Sequence, residues 1–143
     1  MRKLLFAVSA LAVISGSAFA DPIADRQAIM KERGGIAFGQ LAPIAKGEKP
    51  YDAAVVLTAL QALDANAKKF DIDALFPAGS DKGETKASPK IWEDMAGFKA
   101  AHENYAAAVA AAVAAAPQDL AAFQPLFGAI GQGCGSCHSA YRM

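Results

Sequence analysis

Apolar residues return at intervals of three and four along four stretches of this chain, the period of amphipathic α-helices. The first stretch runs from Pro22 or Asp25 to Ala45, with Asp21 or Asp25 as its cap and Pro22 acceptable in a first turn. Met30, Ala37, Leu41 and Ile44 share its apolar stripe with Gly34. Two adjacent glycines inside a helix, Gly34 and Gly35, cost about 2 kcal/mol against alanine. They mark either a local break, a bend, or a point where something large comes close to the backbone. Lys46-Gly47-Glu48-Lys49-Pro50 reads as a turn. The second stretch covers Tyr51 to Phe70, with Ala53, Val56, Leu60, Leu63, Ala67 and Phe70 in phase.

Asp71–Ser88 breaks the pattern, carrying Pro77, Gly79 and Gly83. Loops this long often have a functional part or wrap a cofactor. The third helix is expected to start at Ser88-Pro89, with Ser88 capping and Pro89 in the first helical position, and to end at Pro117. Ile91, Met95, Phe98, His102, Tyr105, Val109 and Ala112 lie on one face of it. The fourth begins at Pro117, with Asp119 in its first turn, and its stripe is Leu120, Phe123, Phe127, Ile130, Cys134, Cys137 and Tyr141. Alanine dominates and β-branched residues are few, which agrees with an all-α chain. The expected architecture is an antiparallel four-helix bundle.

The last stripe carries chemistry. Cys134-Gly135-Ser136-Cys137-His138 contains both cysteines and one of the two histidines of the chain. Cys-x-x-Cys-His is the attachment pattern of c-type haem, in which two thiols bond the vinyl groups and the histidine reaches the iron. The alternative is a disulfide or a thioredoxin-like redox pair, but that motif opens an α/β pattern, which is missing here. Because Cys134 and Cys137 are in phase with the apolar stripe, both thiols should point into the bundle. His138 falls on the flank of that stripe. One haem c, held through two thioethers, should therefore lie inside the bundle against the C-terminal helix.

The other end of the sequence concerns address. Arg2 and Lys3 precede an apolar run from Leu4 to Ile14, and Ala18-Phe19-Ala20 has the form of a cleavage site. Residues 1–20 read as a secretory signal peptide rather than a membrane span, which needs about 20 apolar residues. The remaining residues, 21–143, form one domain, expected in the periplasm. No membrane span is expected there, although Ala106–Ala116 is alanine-rich. Taking Arg2 and Lys3 from 14 basic residues against 14 acidic ones leaves a domain with two excess negative charges. That argues against nucleic acid as a partner, which favours a basic face.

Several segments then carry a resemblance: Arg26-Gln27-Ala28-Ile29-Met30, Lys46–Asp52, Leu75–Ser80, Ser88–Trp92 and Cys134–Arg142. Together they resemble the cytochrome c′ family, the class II c-type cytochromes, across essentially all of residues 21–143. The resemblance implies a four-helix bundle with the haem motif near the C-terminus. It also implies two branches. In one the iron is five-coordinate, with an apolar residue blocking the distal side. In the low-spin relatives, such as cytochrome c-556, a methionine from the first helix is the sixth ligand. Met30 falls at that position, and the surrounding sequence is closer to the low-spin branch. Gly34-Gly35 would then pass close to the haem.

The resemblance gives further residues a role. Arg26 would lie near the haem propionates, and Arg142 near the proximal histidine, tuning the ligand from behind. Trp92, Phe98, Phe123 and Phe127 read as core and haem-packing groups. Met95 and Met143 are set aside as ligands, and His102 is read as an interfacial histidine that could ligate only in place of methionine. Electron transfer with transient redox protein partners is the leading expectation. Binding of nitric oxide or carbon monoxide at an open distal site is the alternative. A peroxidase-like enzyme is disfavoured, since Arg26, Gln27, Lys31 and Glu32 offer no catalytic histidine. Many family members dimerise through the first two helices, so a homodimer is also implied.

Overall fold

The computed structural model describes residues 21–143, and the signal peptide expected over residues 1–20 lies outside them. Helix α1 spans Pro22–Gly34. It starts at Pro22 because the Asp21 carboxylate accepts from the amides of Ile23 and Ala24 at 2.9 and 3.2 Å. This satisfies two of the first-turn donors that a helix leaves unpaired.

The chain does not break at the glycine pair. Gly34 and Gly35 keep right-handed helical φ values of −62° and −60°. Instead the helix widens into a π-helical segment, Gly35–Leu41, before resuming as α2, Ala42–Ala45. The amide of Ala42 reaches back five residues to the Ala37 carbonyl. The physical cause is Pro43, which lacks an amide proton and whose ring would collide with the carbonyl four residues earlier. A wider turn relieves that collision. Gly47, at φ +74°, then makes the expected turn.

Helix α3, Ala53–Lys68, is capped by Asp52 and buries Val56, Leu60, Leu63 and Ala67. The stretch 71–88 is less irregular than its sequence suggests. It contains a turn of helix, α4 (Ile72–Leu75), that places Ile72 and Leu75 in the core. The third expected helix is in fact two. A short α5, Lys90–Glu93, stops at Asp94, where φ −134° and ψ 59° leave the helical region. Helix α6, Met95–Ala115, then starts afresh, with the Asp94 carboxylate accepting from the Gly97 amide at 3.0 Å and from the Tyr141 hydroxyl at 2.8 Å. Ser88 accepts from the amide of Lys90 at 3.3 Å, but Pro89, expected in the first helical position, precedes the helix instead. Helix α7, Leu120–Tyr141, begins just after Asp119, whose side chain caps it through the Ala122 amide at 2.8 Å.

The long helices pack as a bundle around Leu41, Leu60, Leu63, Val109, Phe123 and Ile130, all almost fully buried. A second cluster, mostly aromatic, closes one end. Phe76 and Phe98 meet edge to face at 4.8 Å between ring centres, and Phe98 and Tyr141 at 5.2 Å. Such contacts add to the area that aromatic rings bury. The Phe98 and Phe123 assignments to the core hold, while Trp92 and Phe127 are half-buried against it. Residues 86–88 also pair with the end of α7 and the chain after it. The amide of Ser88 donates to the Tyr141 carbonyl at 3.0 Å, and that of Met143 to the Lys86 carbonyl at 2.9 Å. No helix among the described residues is long and apolar enough to cross a membrane.

Helices α6 and α7 pack tightly at Gly133, where a Cβ would sit 3.0 Å from the backbone of Tyr105. Gly133→Ala is expected to push the helices apart beside Cys134. The cost is about 1–3 kcal/mol, as for other overpacked contacts. Chemical denaturation checks this, and unchanged stability would show that the helices yield freely.

Candidate haem site

Helices α1, α6 and α7 and the stretch 71–88 enclose a cavity of about 530 Å³. Its wall on α7 holds Cys134, Cys137 and His138, which the helical phase had predicted to lie together. Both thiols are free and half-buried, and His138 remains exposed at the rim. Burial raises the proton affinity of both thiols, with Arg33 opposing it. Buried neutral thiols of this kind are unlike the depressed thiolates of a redox Cys-x-x-Cys pair. The imidazole of His138 is pushed towards its neutral form by desolvation first, and then by the charges of Arg142 and Arg33. A neutral imidazole is the form that ligates a metal.

Met30 lines the cavity from α1. It and Cys137 both pack on the aromatic end cluster. The α1 and α7 contributions to the site therefore share one support. His102 lines the same cavity from α6, its ring tilted against that of Phe70 at 4.9 Å between centres. Burial lowers its affinity for a proton. Met95 packs on the aromatic cluster but is not among the cavity residues.

Arg26 and Arg142 also border the cavity. Arg26 is only 4% exposed, and its guanidinium is largely committed elsewhere. It donates to the Leu75 carbonyl at 3.2 Å, to the Ser80 hydroxyl and carbonyl at 3.1 and 2.7 Å, and to the Thr85 hydroxyl at 2.8 Å. It also lies 4.8 Å from the centre of the Phe76 ring. One of its five N–H donors, on Nε, is left over. Arg26 thus ties the stretch 75–85 to α1. Arg26→Met, which keeps the apolar stem, should release that stretch and lower holoprotein stability by about 3 kcal/mol, the scale of lost charge-assisted hydrogen bonds. Denaturation together with hydrogen exchange over residues 75–85 measures this, and unchanged exchange would refute it.

Two polar atoms of the cavity residues are buried without hydrogen-bond partners: Nη2 of Arg33 and the hydroxyl of Tyr105. Burial raises the Tyr105 phenol to about 12. Orphaned buried donors in a roomy, mostly apolar cavity, beside two inward thiols and an imidazole, fit a large group with an apolar body and acceptor atoms. A haem meets that description. Arg33 is not among the residues that the sequence assigns to the site. Its signal was present: a charged residue three after Met30 and four before Ala37, on the edge of the apolar stripe. On the expected stripe, Gly34 takes that place.

The comparisons with known proteins agree. A family profile described as Cytochrome C′ matches residues 21–142. The cytochrome c-556 of Agrobacterium fabrum is 40% identical over 124 residues, covering 87% of this chain and 82% of that protein. The structure of cytochrome c′ from Rhodopseudomonas palustris superposes with a TM-score of 0.78 at 41% identity, over 87% of this chain and 97% of that one. A nitric oxide complex of a variant cytochrome c prime from Alcaligenes xylosoxidans superposes with a TM-score of 0.75 at 31% identity, over 88% and 97%. With the bundle, the cavity and these relatives in agreement, the chain belongs to the cytochrome c′ family and is a c-type cytochrome whose cofactor is one covalent haem.

Proposed function

We propose that this protein is a periplasmic electron carrier, with Cys134 and Cys137 forming the two thioethers and His138 and Met30 the axial ligands. The observation that carries this reading is the placement of Met30. It enters from α1 into the cavity that Cys134, Cys137 and His138 border from α7. When bound, the haem supplies a one-electron couple. The chain's own residues do the rest. Cys134 and Cys137 would hold the haem, and His138 and Met30 would ligate its iron, leaving no open position for a substrate. Phe76, Phe98 and Tyr141 exclude water. Arg142 lies beside His138, its backbone amide bonded to the His138 carbonyl at 3.1 Å and its charge favouring the neutral imidazole. Arg26 would offer its remaining N–H to a propionate. Residues 1–20 would direct export. Other redox proteins would be met through weak contacts, and no enzymatic role is assigned.

A second reading has its own support. The solved nitric oxide complex of a relative favours a five-coordinate iron that captures nitric oxide or carbon monoxide. The two readings part on the ferric absorption spectrum of the holoprotein. A low-spin spectrum with the weak long-wavelength band of a methionine–iron bond is expected. A high-spin spectrum with a ready carbon monoxide adduct would replace electron transfer by gas binding.

A further inference from the structure

Arg33 is a buried cation in the wall of the haem cavity, with no protein carboxylate against it among the described residues. It is 8% exposed. Its guanidinium lies 4.4 Å from the centre of the Tyr105 ring and 5.1 Å from that of Phe70. Nε donates to the side-chain oxygen of Asn66 at 2.8 Å, and Nη2 has no partner. Asn66 is fixed in turn. Its amide nitrogen donates to the Ile29 carbonyl at 3.0 Å and to the Glu32 carboxylate at 2.9 Å, which leaves its oxygen for Arg33. Glu32 does not neutralise the guanidinium, because it pairs with Lys69 at the surface at 3.1 Å. Among the described residues no carboxylate pairs with Arg33.

Buried charges are ordinarily paired, since their desolvation is costly and only a partner offsets it. A guanidinium nevertheless stays charged. Stacking and the neutral Asn66 amide hold this one in place without cancelling its charge. Its field is felt by Cys134, Cys137 and His138, where it opposes the thiols' rise and favours the neutral imidazole. Any group bound between those residues stands in the same field.

We propose that Arg33 is a potential-setting residue whose charge, which no carboxylate of the protein cancels, raises the reduction potential of the haem. When the ferric haem takes one electron from a redox partner, no bond or proton need move, and the site becomes one unit less positive. Repulsion with Arg33 falls, so the reduced state gains. This rests on a covalent haem in the cavity and is independent of whether Met30 bonds the iron.

Potentiometric titration of the holoproteins tests it. In Arg33→Gln, the ratio of reduced to oxidised haem at a fixed ambient potential should fall at least about tenfold, a shift of about 59 mV for one electron. Arg33→Lys, which keeps the charge, should stay within about threefold of the wild type. A second route leaves Arg33 untouched. The double variant Glu32→Gln with Asn66→Asp keeps the net charge but moves the acid onto the guanidinium, and should also lower the ratio about tenfold. If Arg33→Gln fails to hold haem, the double variant decides alone. Values within about threefold of the wild type in the neutralised variants overturn the proposal. An Arg33→Lys shift as large as that of Arg33→Gln overturns it too, because packing rather than charge would then be responsible. Absorption spectra of each variant separate this result from a change in axial ligation, and a potential shift found only where the spin state changes would also refute it.

Discussion

Met30→Ala is expected to turn the ferric holoprotein from low-spin to high-spin and to give its ferrous form a carbon monoxide adduct that the wild type lacks. The argument is one of access. Met30 comes from α1, while both cysteines and His138 come from α7, and all border one cavity. Truncation to alanine removes the thioether and leaves no donor atom in its place. The reduction potential should fall as well, because methionine ligation raises it. Absorption spectra before and after exposure to carbon monoxide give the answer. A wild type that is already high-spin would end the electron-transfer reading. A low-spin wild type whose spectrum survives Met30→Ala would point to His102, the remaining imidazole on the cavity wall.

The double variant Cys134→Ala/Cys137→Ala should lose the covalent haem altogether. Both thiols border the cavity, and each single variant retains one thioether. Haem staining after denaturing electrophoresis should be positive for the wild type, weaker for either single variant, and absent for the double. Stability should follow. Without the haem, a cavity of about 530 Å³ remains, with the Arg33 and Tyr105 donors unpartnered. The melting temperature should drop on the order of 10 °C or more, since both cavities and orphaned buried polar groups destabilise. Haem retained through denaturation in the double variant would disprove the assignment.

The bundle and the cavity wall on α7 were legible because they rest on periodicity. Phe123, Ile130, Cys134, Cys137 and Tyr141 repeat at helical spacing, and in the structure that stripe faces inward. Elements set by a single residue against its neighbours were harder to read. Asp94 ends α5 because its carboxylate is claimed by the Gly97 amide and the Tyr141 hydroxyl, a partner 47 positions away. No local pattern announces that. The widening at Gly35–Leu41 had a visible signal in Pro43, but the adjacent glycines drew the attention. Arg33 was hidden for another reason. A charged residue at the edge of an apolar stripe ordinarily reaches solvent, and only the tertiary placement of Asn66, Phe70 and Tyr105 makes this one a buried cation.

The widened turn at Gly35–Leu41 also says something about the length of the chain. A π turn contains one residue more than the α turn it replaces, so the first helix carries a spare residue at that point. Gly39 lies within it, exposed and with nothing near the place of a Cβ. Losing that residue along with the demand made by Pro43 would restore an ordinary turn and leave Met30 and Ile44 facing as they do now. Losing one residue from α6 or α7 would instead rotate everything beyond it by about 100° and carry half of the haem wall out of register. The widened turn is therefore the point in the bundle where a single residue can be lost without moving the site.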